Sequence, residues 1–222
     1  MSLLDEIKTQ SQITDSVLVS FSMGKDSIVT LDLCMRYFEN VQPFFMYLVP
    51  GLEFQEEALA KYEKYYGVEI LRVPHFEDSK FYRYGSFRTP DLTVPIVKIN
   101  DIYSLIREAT DMHWISGGEK INDSIVRRAM LKNKGSIDEQ RGRFYPLIYW
   151  SNKDVMHYIQ MYSLILPKFS KEMGFSFHSL AGKELSVIKR LYPNDYKRIL
   201  KFFPEAEAGV LQYEAYKQGG KK

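Results

Sequence analysis

Residues 16–21 (SVLVSF) form an apolar run behind a polar N-terminal stretch, the pattern of a short buried strand. From Asp26 onward, DSIVTLDLCMRYF places Ile28, Leu31 and Met35 on one helical face. A second apolar run, PFFMYLV (43–49), predicts a strand, EFQEEALAKYEKYY carries helical spacing, and VEILRV (68–73) predicts a third strand that stops before Pro74. This β-α-β-α-β order implies a parallel sheet. A fourth run, MHWIS (112–116), ends at Gly117-Gly118 and leads into INDSIVRRAML, which predicts a helix entered through a loop. The expected fold class is therefore α/β, a parallel twisted sheet with flanking helices. Right-handed crossovers bring the C-terminal ends of such strands together, and ligands of open sheets bind outside those ends. On that geometry SFSMGKDS, LVPGLEF and SGGEKIND are expected to face one cleft.

Between residues 74 and 101 the periodicity breaks, and the aromatic and basic segment HFEDSKFYRYGSFRTPDLTVPIVKIN reads as a long excursion. Its Lys80, Arg83 and Arg88 are either contacts for an anionic substrate or solvated loop charges. From Ser151 the chain turns helical. SNKDVMHYIQMY places Ser151 as N-cap with Asp154 three residues on, and LAGKELSVIKRLY, NDYKRILKFF and EAEAGVLQYEAYK follow with apolar spacing, the last interrupted or loosened at Gly209. The expected division is an α/β core over 1–160 and a helical C-terminal extension over 161–222 packed on it.

Composition narrows the class. With 222 residues, 45% of them hydrophobic, the chain can bury one substantial core. Thirty basic residues against 28 acidic ones make no electrostatic case for nucleic acid or membrane binding. No apolar run is long enough to span a bilayer, and MSLLDEIKTQSQ lacks the form of a signal peptide, so a cytoplasmic protein is expected. The single cysteine, Cys34, excludes an internal disulfide and a multi-cysteine metal site within this sequence, and its place on the first helix predicts packing.

The loop between the first strand and helix, SFSMGKDS, has the chemistry of an anion cradle. Unpaired amides at a helix N-terminus favour phosphate, Ser22 and Ser27 add hydroxyls, Lys25 adds a point charge, and Gly24 lets the backbone come close. The plainer reading is an ordinary turn with Asp26 or Ser22 as N-cap. Neither a Walker loop nor a dinucleotide fingerprint fits, because a single glycine precedes Lys-Asp-Ser. The stretch resembles the PP-loop SFSGGKDS of the adenine nucleotide alpha-hydrolase superfamily, with Met23 where that pattern has glycine. If that position needs a positive φ, methionine is strained there.

Further stretches resemble the phosphoadenosine phosphosulfate reductase family within that superfamily. VPGLEF keeps Gly51, Glu53 and Phe54 of its Asp-Thr-Gly-x-Glu-Phe, while GEKINDSIVR keeps Gly118, Ser124 and Arg127 of its Gly-x-Arg-x-x-Glu-Ser-x-x-Arg, with Lys120 for Arg and Asp123 for Glu. YPLIYWSNKDVMHYI is similar to a later stretch at Pro146, Leu147, Trp150, Asp154, Val155, Tyr158 and Ile159. The resemblance implies an adenine nucleotide alpha-hydrolase-like fold and binding of ATP or a related adenine nucleotide. It implies that Ser20, Ser22, Gly24, Lys25, Asp26 and Ser27 surround the phosphates and that Asp26 reaches a Mg2+ ion. Main-chain groups of Leu48 and Val49 would meet adenine, and Gly118, Lys120 and Arg127 would approach from the other loop. Lys25, Asp26 and Arg127 are the expected catalytic residues.

Reductases of the family use a cysteine near the C-terminus, in a Glu-Cys-Gly-x-His type motif. No cysteine follows Cys34 here, and MGFSFHSLAGKEL offers His178 at most, so sulfonucleotide reduction is disfavoured. The expected activity is cleavage of ATP between its alpha and beta phosphates to adenylylate an acceptor, of the sulfur or nucleic-acid modification type. The other reading is a non-catalytic nucleotide-binding subunit or sensor, which leaves open a partner protein or a homo-oligomer.

Overall fold

The computed structural model describes residues 3–125, 128–129, 131, 135–173, 177 and 179–219. The chain forms two compact units, one of Met1–Phe45, Lys61–Val73 and Ser104–Leu166, the other of Met46–Ala60, Pro74–Tyr103 and Pro167–Lys222. Along the chain run α1 (Asp5–Ser11), β1 (Ser16–Ser20), α2 (Lys25–Tyr37), β2 (Asn40–Tyr47), α3 (Glu53–Tyr66), β3 (Leu71–Pro74), α4 (Asp78–Tyr84) and α5 (Ile99–Thr110). After them come β4 (Ile115–Ser116), β5 (Ile137–Asp138), β6 (Arg143–Phe144), α6 (Asn152–Met161), α7 (Lys168–Met173), α8 (Gly182–Leu191), α9 (Pro193–Phe202) and α10 (Ala206–Gly219).

The first unit is built on a six-stranded sheet of order β3-β2-β1-β4-β6-β5. β1 pairs in parallel with β2, from Ser16 opposite Asn40 to Ser20 opposite Phe44, and in parallel with β4, with Leu18 opposite Ile115. β6 is parallel to β4, and only the short edge strand β5 runs antiparallel. Val17, Leu18 and Val19 are all fully buried, which is why this strand is continuously apolar rather than alternating. The strand order reverses between β1 and β4, and the crevice outside their C-terminal ends lies between the two loops that leave them.

Helix α2 packs its whole middle into this unit. Its Asp32, 2% exposed, accepts from Arg36 Nε (2.6 Å) and Tyr158 Oη (2.7 Å) at Oδ2 and from Tyr66 Oη (3.2 Å) at Oδ1. The buried carboxylate is thus satisfied from three sides. Burial pushes both tyrosine hydroxyls up, and the neighbouring Asp32 charge pushes them in the same direction. Helix α6 begins at the expected capping box: Ser151 Oγ accepts from the Asp154 amide (3.2 Å) and Asp154 Oδ2 from the Ser151 amide (2.7 Å).

The structure departs from the expected pattern in several places. The third strand is shorter than 68–73, and the strands over 137–144 are too short for a period-2 signal. The segment over 74–101 contains the two-turn helix α4 and the start of α5. Helix α5, for which no element is expected over 102–111, buries Ile102, Tyr103 and Ile106 at helical spacing.

In the second unit α8, α9 and α10 form a helical cluster. Helix α10 runs unbroken through Gly209, so that glycine does not loosen it. It marks a close crossing instead: a Cβ built on Gly182 would lie 2.0 Å from the Gly209 carbonyl oxygen, whereas one built on Gly209 meets nothing nearer than 3.7 Å. Gly182→Ala is therefore expected to cost about 1–3 kcal/mol by forcing the helices apart. Gly209→Ala should be neutral or stabilise by about 0.5–1 kcal/mol through helix propensity. Urea unfolding of the two variants checks the sign of each.

Candidate functional site

β1 delivers Ser20 to the crevice, and residues 21–24 turn the chain into α2. Gly24 is the N-cap residue, extended at φ −77°, and no side chain caps the helix. The plainer reading with Ser22 or Asp26 as N-cap therefore does not hold. Ser22 instead donates its amide and its hydroxyl to Ser27 Oγ (3.2 Å each), and Ser27 Oγ donates to the Gly24 carbonyl (2.9 Å). These bonds close the loop on itself. Among the described residues the Lys25, Asp26 and Ser27 amides at the positive end of the α2 dipole have no acceptor.

Met23 stands at φ 59°, the left-handed conformation that glycine adopts without cost. Its side chain is 2% exposed, so burial offsets the backbone strain. Met23→Gly is expected to leave the loop path unchanged. Losing the buried side chain costs about 1.5–3 kcal/mol and relieving the strain returns roughly 1 kcal/mol, for a net loss of about 0.5–2 kcal/mol in urea unfolding.

The loop after β4 forms the facing wall. A Cβ on Gly118 would lie 3.1 Å from the Asp26 carbonyl carbon and 3.2 Å from the Ser27 amide, so a side chain here would press this loop a few tenths of an ångström away from the first turn of α2. Ser20, Ser22, Gly24, Asp26 and Ser27 from one side and Gly118 and Glu119 from the other line a cavity of about 240 Å³.

The charges around the cavity are mutually paired. Asp26 lies between two ammonium groups, Lys25 Nζ at 2.7 Å from Oδ2 and Lys120 Nζ at 2.6 Å from Oδ1. Lys120 is 1% exposed, and its ammonium also lies 3.1 Å from Asp123 Oδ1, while Asp123 Oδ2 accepts from the Lys120 amide at 2.9 Å. Glu119, which sequence reasoning passed over, pairs with Arg143 Nη2 of β6 at 3.0 Å. It stands within the motif already noted, but its partner lies on a strand too short to be read. The amides at the N-terminus of α2 are thus open to the cavity, whereas the Lys120 ammonium is held by Asp26 and Asp123.

Leu48 and Val49 follow β2 in the second unit, Val49 buried and Leu48 half-buried. In that unit the VPGLEF turn is held by α9: Asp195 accepts from the Glu53 (2.7 Å) and Phe54 (3.1 Å) amides, and Arg198 Nε donates to the Pro50 carbonyl (2.7 Å). Gly51, at φ +66°, sits under the Arg198 guanidinium. Arg127 and His178 lie outside the described residues, and Arg128 is exposed. Arg83 donates to the Val94 carbonyl (2.8 Å), while Arg88 stacks on Tyr82 (3.6 Å) and donates to the Phe202 carbonyl (3.2 Å), so both are bonded within the second unit rather than solvated. Cys34 is fully buried, and burial pushes its thiol up to about 12. Among the described residues no three His, Cys, Asp or Glu side chains are grouped to hold a metal ion, and no helix is long and apolar enough to cross a membrane.

Comparison with known proteins places this geometry. Residues 16–180 match the family model described as phosphoadenosine phosphosulfate reductase domain. Adenosine 5'-phosphosulfate reductase of Geobacillus thermodenitrificans is 27% identical over 159 residues, 68% of this chain and 65% of that protein. An uncharacterized protein of Methanocaldococcus jannaschii is 26% identical over 203 residues, 86% of this chain and 42% of that protein. The chain thus spans less than two thirds of either relative's length. Among solved structures, phosphoadenylyl-sulfate reductase from Candida auris in a phosphate complex superposes with TM-score 0.55 at 14% identity, covering 81% of this chain and 88% of that one. The NH3-dependent NAD synthetase of Campylobacter jejuni in complex with nitrate gives TM-score 0.52 at 16% identity, covering 97% and 93%. Both likenesses concern the fold, which is adenine nucleotide alpha-hydrolase-like.

Proposed function

The chain belongs to the phosphoadenosine phosphosulfate reductase domain family, and from that premise we propose that it binds ATP or a related adenine nucleotide with the phosphates in the β1–β4 crevice. The reading rests on one observation above the others: the uncapped N-terminus of α2 opens on the cavity walled by Ser22, Ser27 and Gly118. Its proposed chemistry is cleavage between the alpha and beta phosphates with transfer of the adenylyl group to an acceptor. Attack at the alpha phosphorus expels pyrophosphate, so the chain's task is to hold the leaving group and neutralise its growing charge. The amides of Lys25, Asp26 and Ser27 do this without reorganisation, Lys25 adds charge from a partly exposed position, and Arg127 is proposed to complete the set. Leu48 and Val49 are proposed to meet adenine.

Mg2+ fits this donor set in the form that takes most of its ligands from phosphate and water, because Asp26 and Glu119 offer one or two carboxylates on the cavity wall. When bound, it would supply charge neutralisation at the phosphates. Asp26 would hold it once its two lysines turn to the nucleotide.

Sulfonucleotide reduction by this chain's own thiol is not proposed, since Cys34 is buried and its thiolate is disfavoured. A non-catalytic nucleotide-binding subunit is the second reading, favoured by the ion-paired state of Lys120. The test is release of pyrophosphate from ATP with Mg2+ by the purified protein. Release lost in Lys25→Ala supports the enzyme, and tight ATP binding without release supports the subunit. Thioredoxin-dependent sulfite release abolished by Cys34→Ser would overturn the exclusion of reductase chemistry.

A further inference from the structure

The wall of the β1–β4 cavity opposite α2 carries a group that phosphate binding does not use. Of the residues lining the cavity, the charged ones are Asp26 and Glu119. Asp26 is met on both oxygens, by Lys25 and by Lys120. Glu119 is met on one: Oε1 accepts from Arg143 Nη2 (3.0 Å), whereas Oε2 has no donor among the described residues and is accessible. The side chain is 24% exposed, at the cavity surface rather than sealed in the core. Gly117 makes room for it. A Cβ built on Gly117 would lie 2.0 Å from Glu119 Oε2 and 3.1 Å from Arg143 Nη2, so the carboxylate folds back over the bare glycine while Arg143 grips its other oxygen. The cavity therefore presents donor amides on one wall and a held acceptor oxygen on the other.

In the sheet β2 and β4 flank β1 on opposite sides, and the proposed adenine contacts follow β2. Glu119 comes just past β4, on the flank away from that strand. An ionised carboxylate only accepts hydrogen bonds, so the group that meets Oε2 there must donate one. A hydroxyl or an amine does. Sulfate or another oxyanion brings only lone pairs, and the neighbouring cations are engaged, Lys25 and Lys120 with Asp26 and Arg143 with Glu119. Resting on the nucleotide reading above, we propose that the acceptor of the adenylyl group is a neutral hydroxyl or amine nucleophile, and that Glu119 binds it through Oε2. The acceptor's O or N attacks the alpha phosphorus and forms the new P–O or P–N bond as the bond from that phosphorus to the alpha-beta bridging oxygen breaks. Pyrophosphate leaves with the electron pair of that bond, and the acceptor's proton passes to Glu119 Oε2. Asp26 remains the holder of Mg2+, and Gly117 is a positioning residue that sets where the carboxylate lies.

The test is pyrophosphate release from ATP and Mg2+ by the full chain, with hydroxylamine, a nucleophile uncharged near neutral pH, or sodium sulfate added as acceptor, and with ATP affinity measured beside it by calorimetry. Hydroxylamine should raise release about tenfold or more and sulfate should not raise it. Glu119→Gln keeps the size of the side chain but cannot take the proton, and should lose the stimulation. Gly117→Ala keeps the carboxylate but pushes it aside, and should lose the stimulation with a native circular dichroism spectrum. Stimulation by sulfate, none by hydroxylamine in a chain that binds ATP, or stimulation retained in Glu119→Gln would overturn the proposal. A higher Mg2+ requirement in Glu119→Gln would make the residue a metal ligand and overturn it equally. Failure to bind ATP, which calorimetry detects separately, sinks the nucleotide reading and this inference with it.

Discussion

Replacing Lys25 and Ser27 together by alanine is expected to weaken ATP binding about a hundredfold or more, measured by calorimetry. Lys25 supplies charge from the first turn of α2. Ser27 Oγ gathers the Ser22 amide and hydroxyl and ties itself to the Gly24 carbonyl, so its loss opens the loop that aims the amides. Each charge-assisted bond to phosphate contributes about 1.5–3 kcal/mol, and two lost together exceed the roughly 2.7 kcal/mol of a hundredfold change. Lys25→Ala alone separates charge from loop shape, because among the described residues that side chain makes only the ion pair with Asp26. Unchanged ATP affinity in the double variant, with a native circular dichroism spectrum, would exclude nucleotide binding at this loop.

Asp195→Ala is expected to destabilise the protein by about 2–4 kcal/mol in urea unfolding. The carboxylate is 2% exposed and accepts from two successive amides at the start of α3, at 2.7 and 3.1 Å. It acts as an N-cap supplied by another helix, and it meets the positive end of the α3 dipole. Alanine leaves the buried Phe54 amide and the partly buried Glu53 amide without their acceptor. Asp195→Asn keeps one acceptor oxygen and should recover about half of the loss. A change below about 0.5 kcal/mol for the alanine variant would mean that water replaces the carboxylate at no cost.

Much of the fold is legible because its signals are local. The fully buried run at Val17–Val19 and the spacing of α3 could be read in short windows, as could the Ser151–Asp154 capping box, because residues that decide each element are also those that form it. Failures cluster where that ceases to be true. The two-residue strands β5 and β6 exist because β4 offers them an edge, and no period can be carried by two residues. Gly209, read as a weak point of its helix, is a point of close helix crossing, and only the position of Gly182 reveals this.

The candidate site divides in the same way. The sequence by itself determined a strand-to-helix loop with small and hydroxyl-bearing residues, because strand, turn and helix start within a dozen neighbouring positions and follow from local sterics. It also raised the question at Met23, since a side chain at a glycine position is visible as a departure. That Met23 keeps the left-handed backbone was decided only by the tertiary structure, through the burial of its side chain. So was the pairing of Lys120 with Asp26, and of Glu119 with Arg143. Ion pairs between distant segments depend on which loops the sheet order brings together at the β1–β4 crevice. That order follows from the packing of all the strands at once, a property of the whole core that no window of sequence contains.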